Sequence, residues 1–246
     1  MELFDRRAHD FIFYGKVVDV YDCADKTNVI LDHTQFYPGK RGQPHPKDRG
    51  YLNKTRVMDV IRQDGRIVHM MDRKLDLSIG DQVTGAIELD ARLRYMQHHT
   101  AEHLLLSRLF SRYTITPLAW HYHFGKSSID VCCKTLTDAM LNHIERDVNA
   151  LIRANLPVTI YEERLHADPP IRLPIDNPPR LGDFVRVVEI GDVDRAVCDG
   201  LHCETTGRID CISLNDFEPL GVGHWNISYS AGGAVNPGDS FGDLSC

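Results

Sequence analysis

The stretch Tyr95-Met96-Gln97-His98-His99-Thr100-Ala101-Glu102-His103-Leu104-Leu105-Leu106 marks the point where the chain changes character. Before it the sequence reads as short strands. From about Leu93 it reads as an amphipathic helix, with Tyr95, Leu104, Leu105, Leu109 and Phe110 as the apolar positions of Arg94–Arg112. His99 and His103 stand four residues apart. Four residues of α-helix turn through about 400°, so both rings leave one face a turn apart and two nitrogens can grip one cation. An isolated pair of this kind is more often surface or core. His98 points about 100° away around the helix and is assigned to surface or packing.

Upstream, six segments are rich in β-branched residues: Phe11–Tyr14, Lys16–Tyr21, Asn28–Leu31, Arg56–Ile61, Arg66–Met70 and Gln82–Leu89. Turn signals such as Asp64-Gly65 and Gly80-Asp81 separate them. Short strands at close spacing predict a small antiparallel β-barrel over residues 1–90. Phe36–Gly50 carries too many glycines and prolines for regular structure and reads as an exposed loop. Downstream, Trp120–Phe124 and Ser127–Val131 read as a strand pair. Leu136–Leu156 is a helix with Leu141, Ile144, Val148, Leu151 and Ile152 on one face, ended by Pro157. Pro157–Tyr161, Phe184–Ile190 and Arg208–Leu214 read as strands, Asp168–Arg180 as a proline-rich loop, and the tail from Ser230 as poorly packed. The expectation is an α+β protein: the barrel, then a domain over residues 91–246 with helices packed on an antiparallel sheet.

A chain of 246 residues, 42% hydrophobic and 26% charged, is long enough to bury a substantial core. No apolar run approaches the roughly 20 residues of a membrane-spanning helix, and the N-terminus lacks the order of a secretory signal. Seven irregularly spaced cysteines argue for reduced thiols in the cytoplasm rather than a disulfide framework. Cys132 and Cys133 read as buried strand thiols. The net charge of −7 excludes a general nucleic-acid coat, yet Lys40, Arg41, Lys47, Arg49, Lys54 and Arg56 cluster against the single acid Asp48. A local basic patch on an acidic body fits a protein that meets a polyanion at one place, and equally a solvated loop.

A second pair lies far downstream, in Ala196-Val-Cys198-Asp-Gly-Leu-His202-Cys-Glu-Thr-Thr-Gly207. Zn²⁺ takes imidazole and thiolate in tetrahedral sets, commonly as two pairs on separate elements. His99, His103, Cys198 and His202 make such a set, and mixed N₃S ligation favours zinc over Mg²⁺ or Ca²⁺.

With these residues the chain resembles the AlaX family of free-standing alanyl-tRNA editing proteins, and through it the editing domain of alanyl-tRNA synthetase. The resemblance runs from about Phe11 to Asp210. Its landmarks are Gln35-Phe-Tyr-Pro38 with Gly42-Gln-Pro44, Met96–Leu105, Ser128-Ile-Asp130, Asn149 through Pro157-Val158, and Val185–Asp194 followed by Cys198, His202 and Thr206-Gly207. It implies one zinc ion on His99, His103, Cys198 and His202. It further implies hydrolysis of the ester of a mischarged aminoacyl-tRNA, by default seryl-tRNA(Ala), with no obligate protein partner. The family's Cys-Gly-Gly-Thr-His becomes Cys198-Asp-Gly-Leu-His202, and its glycine-rich segment becomes Tyr37-Pro-Gly-Lys-Arg-Gly-Gln43. Asp199 and Leu201 are therefore candidate substrate-reading residues. They motivate an alternative substrate, tRNA(Thr) carrying another hydroxylated or non-protein amino acid such as a threonine analogue. An alternative of another class is a tRNA-binding relic without catalysis.

Thr100, Ser127 and Ser128 are candidates to hydrogen-bond the substrate side chain, beside their plain reading as helix and strand hydroxyls. Glu102 is a candidate general base or a carboxylate supporting the ligands from behind. It also completes the string His99-x-x-Glu102-His103, the inverzincin protease signature, which is disfavoured because a Cys/His loop pair complements it here. Lys40, Arg41, Lys47 and Arg49 are the candidate contacts to acceptor-stem phosphates, with Phe36, Tyr37 and Trp120 as stacking platforms.

Overall fold

The computed structural model describes residues 10–39, 47–123, 126–167, 170–174 and 177–233, with the side chain of 123 not described. Its fold is α+β. Six strands close an antiparallel barrel: β1 (Ile12–Cys23), β2 (Lys26–Leu31), β3 (Gly50–Leu52), β4 (Thr55–Gln63), β5 (Arg66–Met71) and β6 (Gln82–Ile87), in the order β1-β2-β5-β4-β3-β6. Closure leaves no free sheet edge in the barrel. Inward residues alternate along each strand, so Phe13 and Val17 of β1, Val57 and Val60 of β4 and Val83 and Ile87 of β6 fill the interior. The sequence separates Phe11–Tyr14 from Lys16–Tyr21, but β1 is one strand. The irregularity falls later, as a register shift between Val17 and Asp19. Asp64 and Gly65 both take positive φ, 49° and 76°, which joins β4 to β5 by the tight turn their types favour.

Helix α1 (Leu89–Tyr113) follows the barrel directly and starts earlier than the apolar pattern suggests. β7 (Thr116–His123) and β8 (Lys126–Cys132) come next, then α2 (Asp138–Arg153). The Thr137 hydroxyl caps α2 by accepting the Met140 N–H at 3.3 Å. Leu141, Ile144, Val148 and Ile152 form its buried stripe. β9 (Val158–Arg164), β10 (Phe184–Ile190) and β11 (Asp194–Val197) make a three-stranded sheet, and β12 (Ile212–Gly221) and β13 (His224–Ala231) join β8 and β7 in the order β12-β13-β8-β7. One hydrophobic cluster runs from the barrel interior through α1 and α2 to these sheets. Among the described residues no helix is long and apolar enough to cross a membrane.

Several expectations are corrected. Ser230 and Ala231 lie inside β13 rather than in a loose tail. Cys132 is exposed and Cys133 half-buried, because β8 turns Cys132 to the outer face at its end. The Phe36–Gly50 segment is not simply an exposed loop: Phe36, Tyr37 and Asp48 are buried, and Gly50 begins β3. The reason is Arg92 at the start of α1. Its Nη2 donates to the Gln35 carbonyl at 2.5 Å, and its guanidinium pairs with the Asp48 carboxylate. Asp48 in turn accepts the Tyr37 N–H at 2.5 Å. Phe36 and Tyr37 are thereby taken into the core and are not surfaces for nucleobases.

The barrel also buries a histidine. His69 Nδ1 meets the Val29 carbonyl at 3.0 Å and its Nε2 meets the Thr34 hydroxyl at 2.9 Å. Burial lowers its pKa from 6.5 to about 4. The unfolded chain takes up this proton near pH 6.5 and the folded chain only near pH 4. Stability is therefore lost as pH falls through that window, by up to about 3 kcal/mol from this residue. Urea midpoints measured from pH 7 to 4.5 should fall, and His69→Gln should remove part of the slope; an unchanged slope would exclude His69 as a source.

Candidate metal centre

Four side chains from two distant segments converge against α1. His99 and His103 leave one face of the helix, one turn apart. Cys198 and His202 come from the bend that follows β11. Their donor atoms all lie within 4.8 Å of one another. The Cys198 sulfur is 3.5 Å from His99 Nε2 and 3.4 Å from His202 Nε2. A tetrahedral zinc with Zn–N near 2.0–2.1 Å and Zn–S near 2.3 Å has N–S edges of about 3.5 Å. The spacing therefore fits that ion.

Tautomers fit it as well. His99 Nδ1 lies 3.3 Å from the Leu201 carbonyl and 3.2 Å from the Tyr95 hydroxyl. His103 Nδ1 lies 2.7 Å from the Asp194 carboxylate. His202 Nδ1 lies 3.3 Å from the Thr100 hydroxyl, whose own proton goes to the Met96 carbonyl at 2.7 Å. Each Nδ1 thus faces an acceptor, which places the ring proton there and leaves the Nε2 lone pair for a cation. Burial pushes His99 down to about 4 and His202 well below 6.5, so both rings are neutral, the form that binds metal. His103 is drawn the other way. Burial and the Arg172 charge lower its pKa, but the hydrogen bonds to Asp194 and Cys198 leave it raised.

The thiol is held from its backbone. Arg186 Nη1 donates to the Cys198 carbonyl at 2.5 Å, the Cys198 N–H to the Arg186 carbonyl at 3.1 Å, and the Gly200 N–H to the Cys198 sulfur at 3.4 Å. Gly200 has to be glycine, since a Cβ there would overlap the His99 ring. Trp120 stacks on that ring, centroids 4.9 Å apart and planes 13° off parallel.

Behind His103, Asp194 accepts from Arg172 Nη2 at 2.8 Å and from Arg172 Nε at 3.3 Å. Burial alone would raise the Asp194 carboxyl, but the hydrogen bond to His103 and the Arg172 charge hold it well below the usual carboxylate range. Neither residue stands out in the sequence, because Asp194 lies 91 positions from the histidine it supports. Replacing an outer partner of this kind typically costs 10–100-fold in metal affinity. Asp194→Asn is expected to weaken zinc binding by about that factor, read by competition with a chromogenic chelator.

Three of the four donors, His99, His103 and Cys198, sit in the wall of a cleft of about 600 Å³, while His202 is buried and does not line it. His99, Glu102, His103, Trp120, Arg172, Arg186, Cys198 and Asp199 line it, together with Pro178, Pro179 and Phe184. Of the proposed substrate-reading residues, only Asp199 reaches this wall. Thr100 is fully buried and accepts the Cys203 N–H at 3.0 Å, so it braces the Cys/His bend. Ser127 is buried against His98 Nδ1 at 2.9 Å, and Ser128 accepts from Asn226 at 3.0 Å. The Leu201 side chain is buried, and its carbonyl faces His99. Glu102 is buried in the cleft wall rather than solvated. Lys47 and Arg49 are exposed, Lys47 pairing with Asp59 at 2.9 Å, while Lys40 and Arg41 lie outside the described residues.

No protein-family model matches the chain. It is 30% identical over 224 residues to the alanyl-tRNA editing protein AlaX-L of Pyrococcus horikoshii, covering 89% of this chain and 54% of that protein. It is 32% identical over 234 residues to the alanine–tRNA ligase of Halorubrum lacusprofundi, covering 91% of this chain and 25% of the ligase. With the ligase of Archaeoglobus fulgidus it shares 32% over 220 residues, 84% of this chain and 23% of the ligase. The chain thus spans about half the length of the editing protein and about a quarter of the ligases. The alignment with AlaX-L takes in nearly nine-tenths of the chain, including both halves of the donor cluster, and makes the chain a homologue of that alanyl-tRNA editing protein and of about a quarter of each ligase.

Proposed function

We propose that the protein is a zinc-dependent deacylase of mischarged aminoacyl-tRNA, with seryl-tRNA(Ala) as its default substrate. The observation that carries this reading is the donor cluster itself: three imidazoles and one thiol, oriented by their own hydrogen bonds, with His99, His103 and Cys198 lining a cleft. Relatives named for alanyl-tRNA editing and alanine–tRNA ligation support a tRNA ester as the substrate. When bound, zinc supplies Lewis acidity toward an ester carbonyl. His99, His103, Cys198 and His202 would hold it.

The protein's own groups do the rest. Trp120, Pro178 and Pro179, which line the cleft, exclude water from the reacting ester, while the exposed Asp199 at the cleft reads the approaching acyl group. Lys47 and Arg49 meet phosphates of the acceptor stem. An exposed pair such as Lys47–Asp59 is worth little and is readily exchanged for a phosphate. A panel of misacylated tRNAs tests the reading. Seryl-tRNA(Ala) should be cleared, alanyl-tRNA(Ala) spared, and clearance lost on zinc chelation and regained on zinc addition. A preference for tRNA(Thr) species would move the assignment to the alternative substrate. Tight tRNA binding without hydrolysis of any member would replace it with a binding role.

A further inference from the structure

We propose that Glu102 binds the α-ammonium of the aminoacyl group and so restricts the cleft to esters whose amine is free. The inference deepens the deacylase reading above and rests on it. Glu102 is 6% exposed and forms part of the cleft wall. A buried carboxylate ordinarily accepts several hydrogen bonds, because leaving water without replacement partners is costly. Among the described residues Glu102 accepts none. The nearest basic side-chain nitrogens are His103 Nε2, 3.7 Å from Oε2, and the cationic Arg172 Nη1, 4.0 Å from Oε1. Neither can close that distance. Arg172 is held by Asp194 through Nε and Nη2, and His103 is held by the same carboxylate through Nδ1.

Glu102 therefore keeps acceptor capacity aimed into the cleft, one residue along the helix from a donor-cluster histidine. A cation with several N–H donors is the ligand such a group selects. An aminoacyl ester carries one such cation, its α-ammonium. The amine lies only about 2.5 Å from the carbonyl carbon, so the two are delivered together. A carboxylate beside the donor cluster is placed to take the amine while the carbonyl faces the cluster. A base that only activates water would be indifferent to the amine, and this separates the two roles.

The test uses the zinc-loaded full chain and two esters on the same tRNA, seryl and N-acetylseryl. The wild type is expected to prefer the free amine by about 100-fold in kcat/KM, the scale of a charge-assisted contact. Glu102→Gln, of the same shape without the charge, should lower kcat/KM for the seryl ester by about 30-fold and leave the N-acetylseryl rate within about twofold. Its zinc content, measured by elemental analysis, should match the wild type. Should the glutamine variant lose zinc, Glu102→Asp serves in its place: a zinc-replete aspartate variant keeps a preference for the free amine. Equal losses on both esters, or a wild type indifferent to acetylation, or an aspartate variant without preference, would overturn the inference alone. A wild type that cleaves neither ester would overturn the deacylase reading and this inference with it.

Discussion

His103→Ala is expected to release the metal and to end deacylation together. Removing one imidazole deletes one of four converging donors and also leaves the buried Asp194 carboxylate facing the gap with Arg172 as its remaining partner. The loss should exceed the roughly 100-fold ceiling typical of outer partners, since a direct donor is gone. Dialysis against a chelator should therefore strip the variant while the wild type keeps about one ion per chain. Asp194→Asn should fall between the two, which gives an ordered series rather than a single loss. Proton and metal compete for the same Nε2, so zinc retention should also weaken as pH falls. Full turnover by a metal-free His103→Ala protein would sink the zinc mechanism.

The second large effect concerns stability. Arg92 is wholly buried, and its guanidinium holds Asp48 and the Gln35 carbonyl, on either side of the stretch that carries Lys40 and Arg41. Arg92→Ala leaves the Asp48 charge buried without its cation, a change that typically costs about 3–5 kcal/mol. For a chain of this size that lowers Tm by about 10 °C. Removing both charges, as in Arg92→Met with Asp48→Leu, should recover much of the loss, because burying a pair is itself costly. Urea titration of the single and double variants checks this. A single variant within about 1 kcal/mol of wild type would show that the pair is not what anchors the segment.

The barrel and both helices are legible in the sequence because their signals are local. β-Branched runs divided by turns such as Asp64-Gly65, and the apolar stripe of α2, each need only a short window. The donor quartet is legible because two pairs share one spacing. What was hidden depends on distant partners. Beyond Leu214, β12 carries Asn215, Asp216, Glu218 and Pro219, residues with little strand preference, and it continues as a strand because β13, itself paired with β8, offers an edge. Arg92 shows no local sign of burial, and its partners lie 44 and 57 positions upstream. Thr100, Ser127 and Leu201 illustrate the reverse. Their polarity or their place beside a ligand suggested substrate reading, yet the fold uses them to orient histidines or to pack.

The two halves of the donor cluster lie far apart along the chain: His99 and the sulfur it meets are 99 positions apart. A chain growing from its N-terminus carries the helical histidines long before the Cys198 bend exists. A metal ion could be held by all four donors only after α2 and the five strands β7 to β11 have been made. On the zinc reading proposed above, loading would then come late in synthesis. A chain truncated anywhere before His202 is left with an incomplete donor set, whatever else of it has folded.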